Sequence, residues 1–162
     1  MARWAPQHEV VLARFTSATR YDVRRDLKGP LLAVLDAVEK ILAEHMKLTL
    51  AGASGFSELS VPDLHREAIR EALLNALVHR DYFLRQSIHL HLYEDRLEIS
   101  SPGGFIGGVT PENILRHPPV RRNPLLADTL QKVGLVNRVG MGVDRIYEEL
   151  LKLGKRVPFY EA

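Results

Sequence analysis

The chain contains no cysteine and a single tryptophan in 162 residues. Without thiols there is no disulfide framework and no cysteine-ligated metal centre, so zinc ribbons and disulfide-stapled miniproteins are excluded. Long apolar runs are missing too. The longest uninterrupted one is Leu31 to Leu35, far short of the roughly 18 residues that a membrane-spanning helix needs. The N-terminus lacks the basic-then-apolar pattern of a secretory signal, and the expectation is a cytoplasmic protein with no membrane association. Neither charge sign dominates: 22 Lys and Arg face 20 Asp and Glu, for a net charge of +2. That balance supplies no field from which nucleic-acid binding could be argued. What is present is one globular domain or part of one, long enough to bury roughly 68–70% of its unfolded surface in a conventional core.

Glycine and proline are unevenly spread. Seven of the eleven glycines lie from Gly103 to Gly142, and five of the nine prolines from Pro102 to Pro124. A loop-rich middle flanked by regular segments follows. Residues 1–29 read as a linker or arm from a preceding unit, with a strand or extended piece around Val10 to Phe15. Residues 30–154 read as the main domain, and 155–162 as the start of a C-terminal extension. Leu31, Val34, Leu35, Val38, Ile41 and Leu42 recur at helical spacing after Pro30, predicting a helix to about Met46. Ala51 to Glu58 reads as a loop. Ser60 or Val61 as cap and Pro62 near the first turn predict a second helix, ending near Arg80. Ser87 to Tyr93 and Arg96 to Ser100 alternate around Glu94-Asp95, as a β-hairpin does. Thr110-Pro111 predicts a short helix. Further helices are expected over Leu125 to Val133, closed by Gly134, and Val143 to Leu153, closed by Gly154.

The second helix carries a polar ladder on the face that should be apolar. On a wheel of 100° per residue, Arg66 and Arg70 fall on one side with Asp63 and Asp81. The opposite arc holds Leu64, Ala68, Ala72 and Ala76, and among them stand Glu71, Asn75 and His79 at i, i+4, i+8. An unpartnered buried carboxylate is costly, so such a face demands a metal, a ligand or a structural hydrogen-bond network. An amide oxygen is a hard ligand suited to Mg²⁺, which keeps several waters and binds substrate phosphates. A carboxylate one turn away can act on a water near phosphorus as a general base. Glycine-rich turns supply backbone N–H groups to a polyphosphate, most effectively at a helix N-terminus.

Those residues form an ordered set: Glu71-Ala-Leu-Leu-Asn75-Ala, a hairpin ending in Pro102-Gly103-Gly104, and Gly140-Met141-Gly142 entering a helix. The set resembles the GHKL ATP-binding fold shared by gyrase B, MutL and histidine kinases. More closely, REALLNALVHRDY, SSPGGFIGGVTPENI, RRNPLLADTL and GMGVDRI are similar to the ATPase-like domain of bacterial RecG-related and Schlafen/AlbA-type transcriptional regulators. The resemblance covers residues 60 to 151 well and 10 to 59 loosely. It implies an α/β (α+β) two-layer sandwich of Bergerat type, in which a mixed, mostly antiparallel sheet carries helices on one face. By position, Glu71 is similar to the water-activating acid and Asn75 to the Mg²⁺-chelating asparagine. Gly103 and Gly104 fall in the first glycine box, and Gly140, Met141 and Gly142 in the second. His79, Arg122 and Asn123 are further candidates for contact with the nucleotide. Where the wider fold has an aspartate reading the adenine amino group, this chain has Ser101, whose hydroxyl lacks the charge-assisted contact.

Other motifs are set aside. His79-Arg80-Asp81 spells a kinase triplet, yet Gln86 stands where its asparagine belongs. Gly103 to Gly108 is followed by Val109 rather than the P-loop lysine, so this stretch is no helicase motor. His89 and His91 share one side of a strand and could ligate zinc, but no third ligand has convincing spacing. Arg116, Arg121 and Arg122 read equally as a phosphate-clamping lid or a solvated loop. Two functions remain. One is an ATP- and Mg²⁺-binding domain of a transcriptional regulator, acting as a slow ATPase or nucleotide-dependent switch. The other is a degenerate sandwich without nucleotide, serving as a dimerisation or protein-docking module. A homodimer is compatible with both, and DNA contact is expected only through parts of a parent protein outside this chain.

Overall fold

The computed structural model describes residues 9–45, 48–54, 57–62, 65–135 and 142–161. The elements run β1 (Val10–Phe15), β2 (Tyr21–Leu27), α1 (Leu31–His45), β3 (Leu48–Ser54), β4 (Ser57–Pro62), α2 (Arg66–His79), β5 (Ile88–Leu92), β6 (Leu97–Ser100), α3 (Pro124–Lys132) and α4 (Gly142–Lys152). Four strands form one mixed sheet in the order β2-β1-β5-β6, and β3 pairs with β4 separately. Within the larger sheet only β1 and β5 run parallel, with Leu12 opposite Leu90, while β1–β2 and β5–β6 are antiparallel. The fold is therefore the expected α+β sandwich with a mostly antiparallel mixed sheet.

Strand alternation decides which side of the sheet is dry. On β5, Ile88, Leu90 and Leu92 are 0–4% exposed, and Val10 and Leu12 of β1 join them beneath Val34, Val38 and Leu42 of α1. Each such aliphatic side chain contributes roughly 1.5–3 kcal/mol of burial. Helix α2 lies against the same surface through Leu73, Ala76 and Leu77. It turns a second side, Leu74 and Val78, to Ala127 and Leu130 of α3. A third side packs along α4. Because two of its faces are already committed to apolar neighbours, the polar ladder occupies the third, which borders a cleft.

Several expectations give way to tertiary structure. The strand expected over Val10 to Phe15 is β1, but it is an interior strand of the sheet, and residues 21–27, read as irregular chain of an arm, form its neighbour β2. The stretch read as a loop and helix start is instead the β3–β4 pair, with Pro62 opposite Leu48 in the ladder. Helix α2 accordingly begins at Arg66, behind an N-cap residue, His65, that makes no side-chain capping bond. No helix forms after Thr110, where the chain makes successive turns. Asn113 competes with the helix there: its Oδ1 accepts from the Thr110 amide at 2.8 Å and its Nδ2 donates to the Gly108 carbonyl at 2.9 Å. The C-terminal segment folds back on α4, where Tyr160 stacks on Tyr147 with rings 6.5 Å apart. Burial there pushes the Tyr160 hydroxyl up to about 12. No helix among the described residues is long and apolar enough to cross a membrane.

Candidate functional site

The third side of α2 borders an open cavity of about 2050 Å³, which also extends past Phe15, His89 and His91 of the sheet and along residues 155–161. Ala68, Glu71, Ala72, Asn75, Ala76 and His79 form its floor, with Ser101, Gly103 and Gly104 on one rim and Gly142 and Val143 on the other. The alanines that shared the helical arc with the ladder thus leave open space instead of packing against leucines. That volume exceeds the ~300–1,000 Å³ of an ordinary closed ligand pocket, so the site is an open groove.

The α4 rim meets the ladder closely. A Cβ added to Gly142 would run into Glu71 Oε1 and lie 2.9 Å from both Oδ1 and Nδ2 of Asn75. The carboxylate and the amide therefore converge on a single point at the first residue of an eleven-residue helix, where unpaired N–H groups and the helix dipole favour anions. Burial pushes the Glu71 carboxyl above the usual carboxylate range, against the pull of Arg145 and Arg70, with Glu67 adding a small upward push. A hard-oxygen pair of this kind suits Mg²⁺, which takes one or two protein ligands and fills its octahedron with water and phosphate. Among the described residues no three His, Asp or Glu side chains converge. Gly140 and Met141 lie outside the described residues.

The opposite rim is tied together by hydrogen bonds within the protein. Arg122 donates to Asp81 Oδ2 at 3.1 Å and to the Gly104 carbonyl at 2.6 Å. The Asp81 amide donates to the Pro102 carbonyl at 2.7 Å, and Asp81 Oδ1 accepts from the Phe83 amide at 2.9 Å. Gly103 sits at φ +99°, and a Cβ there would come within 2.7 Å of Asp81 Cβ, so only glycine lets the loop approach this closely. Asn123 Nδ2 donates to the carbonyls of Val78 and Arg80, both at 2.7 Å, capping the C-terminal end of α2. The Ser101 hydroxyl donates to the Ala76 carbonyl at 2.7 Å, leaving its oxygen as an acceptor. His79 stands exposed at the last turn of α2, where partial desolvation, with help from the Arg122 charge, holds its imidazole below the usual range.

Of the expected ligand contacts, Arg122 lines the cavity while bonding to Asp81 and Gly104, and Asn123 bonds to the end of α2. Sequence reasoning passed over Asp81, the hub of this rim. The signal was present in His79-Arg80-Asp81 but was weighed only as a kinase motif. Arg80 is 2% exposed, lies over the Tyr82 ring at 5.2 Å and donates to the Gln86 carbonyl, so the middle residue of that triplet is structural.

Residues 86–162 match a family model described as "Putative ATP-dependent DNA helicase recG C-terminal". The second part of the chain is thus similar to the C-terminal region of RecG-related proteins. The match begins after α2, so it spans both glycine segments but not Glu71 or Asn75. Among solved structures, the crystal structure of the DIP2311 protein from Corynebacterium diphtheriae is similar over 97% of this chain, with 34% identity and a TM-score of 0.86. The chain spans about a third, 33%, of that protein's length. No curated protein matches it.

Proposed function

We propose that the cleft binds ATP with Mg²⁺ and that the domain works as a slow ATPase or nucleotide-dependent switch within a RecG-related transcriptional regulator. The observation that carries this reading is the convergence of Glu71 and Asn75 on Gly142 at the α4 N-terminus. In it, Asn75 Oδ1 ligates the cation. Glu71 holds a water beside the terminal phosphate and accepts its proton, a role helped by the higher proton affinity that burial gives its carboxyl. The first-turn amides of α4 and the backbone around Gly103 and Gly104 receive phosphate oxygens. Bound Mg²⁺ supplies neutralisation of phosphate charge. Ser101 Oγ, its proton already given to Ala76, accepts from the exocyclic amine of the base. His79 borders the ligand near the Gly103 rim. The reading places the protein in the cytoplasm, and any DNA contact in parts of a longer protein outside this chain.

Calorimetric titration with ATP tests it. Binding should appear with Mg²⁺ and weaken at least about tenfold when EDTA is present or Asn75 is alanine. Glu71→Gln should retain binding and lose hydrolysis. No heat at millimolar Mg·ATP from a folded protein refutes the reading. The docking-module alternative draws on the rim at Asp81, where Ser101, Arg122 and Asn123 are all bonded within the protein, and it gains only from that null result.

A further inference from the structure

The face of the sheet turned away from α1 and α2 carries a pair of metal-ligating side chains that the nucleotide reading does not use. With Ile88, Leu90 and Leu92 locked into the core, the alternation of β5 puts His89 and His91 together on the outer face. A one-residue slip would bury both imidazoles and expose the leucines, so their side is fixed by the core. Their neighbours across β1 are Val11 and Ala13, and across β6 Ser100 and Glu98. Val11 and Ala13 floor a shallow depression of about 360 Å³, with His89, His91, Phe15 and Ser100 around it.

The two rings lie 5.7 Å apart between centroids, at 62° to one another. Two imidazoles sharing one ion at ~2.1 Å per nitrogen, at a tetrahedral angle, have centroids about 5.2 Å apart. The observed spacing therefore needs only a small side-chain adjustment to chelate. His91 is braced from the side: Phe15 meets its ring edge-on at 5.0 Å, Phe15 stacks on Tyr93 at 5.0 Å, and Arg96 lies 4.0 Å over Tyr93. Arg24, which also lines the depression, is tied to Asp26 at 3.1 Å, and Glu98, opposite His91, is tied to Arg96 at 2.7 Å, so each of these charges is matched by its own partner.

We propose that His89 and His91 form a bidentate site for one borderline divalent transition ion of the Cu²⁺, Ni²⁺, Zn²⁺ class, on the sheet face turned away from α1 and α2. Imidazole donors select such ions, whereas the oxygen pair in the cleft selects Mg²⁺. Two protein ligands leave the other coordination positions to water or to a donor from outside the chain.

The test is titration of the untagged, nucleotide-free chain with CuCl₂, ZnCl₂ and MgCl₂. One Cu²⁺ should bind per chain at micromolar concentration, Zn²⁺ more weakly as the Irving–Williams order requires, and Mg²⁺ should not compete. His89→Gln and His91→Gln should each weaken Cu²⁺ binding at least about tenfold, while His117→Gln leaves it unchanged. Independently of any variant, substoichiometric Cu²⁺ should broaden the His89, His91 and Phe15 NMR signals of the wild-type chain first. The proposal is overturned if Cu²⁺ fails to bind below about 1 mM, if both glutamine variants bind like wild type, or if broadening centres on the cleft or on other histidines.

Discussion

The two rims of the cleft are built on opposite terms. On the Gly103 side the polar groups are matched within the protein: Arg122 answers Asp81 and the Gly104 carbonyl, and Asn123 answers the end of α2. On the Gly142 side, Glu71 carries a burial cost that the nearby arginines only partly offset. Proteins relieve such costs unless the site is reserved for something else. One rim thus reads as scaffold and the other as the place where a ligand would complete the chemistry.

Substitutions separate the two. The largest loss of stability is expected at the scaffold rim from Gly103→Ala, since a positive φ and a collision with Asp81 Cβ together cost about 2–4 kcal/mol; chemical denaturation measures it. Asn123→Ala leaves two carbonyls at the end of α2 without their donor and should cost about 1–3 kcal/mol. Arg122→Met removes one side of a pair whose side chains are only 20% and 25% exposed and should cost a similar ~1–3 kcal/mol. If nucleotide affinity falls with these changes no faster than stability does, the rim is scaffold. At the other rim the pattern should invert. Gly142→Ala meets only the movable ends of Glu71 and Asn75, so it should weaken Mg·ATP binding several-fold while changing stability by less than about 0.5 kcal/mol.

The smallest effect is electrostatic. Folding raises the Glu71 carboxyl above its unfolded value, so its contribution to stability is greatest below the ordinary carboxylate range and is lost as pH rises through the folded value. Glu71→Gln should therefore melt at a slightly higher temperature than wild type at pH 7. The two should converge when the acid is protonated in both states, below about pH 4. A variant less stable at pH 7 would show the carboxylate to be satisfied and erase the contrast between the rims.

Much of the helical layer was legible in the sequence. Helices α1, α3 and α4 and the β5–β6 hairpin appear within a residue or two of where periodicity and turn residues put them, because each buries one face against the core. The ladder was legible for the same reason: Glu71 and Asn75 break an otherwise apolar arc. What local pattern could not show was long-range pairing. β2 reads as polar because it is an edge strand with most positions exposed, and β1 becomes interior only by pairing with β5. The fates of Arg122 and Asn123 were equally hidden, since a loop arginine looks the same whether it meets phosphate or a carbonyl of its own chain. The family match over residues 86–162 and the DIP2311 likeness show what the chain resembles without testing either residue's role.

The parallel pairing of β1 with β5 also has a consequence for how the chain is made. Strand β1 has its interior neighbour only after α1, the β3–β4 pair and α2 have followed, so closing the sheet requires a long loop to be drawn together. On the ribosome, Val10 and Leu12 wait without their partners Ile88 and Leu90 until β5 emerges. During that interval β1 is an unpaired apolar edge, open to β2 on one side and to any stray strand on the other. Helix α1, which covers β1 in the finished fold, is complete well before β5, and its early docking is the natural guard of that edge.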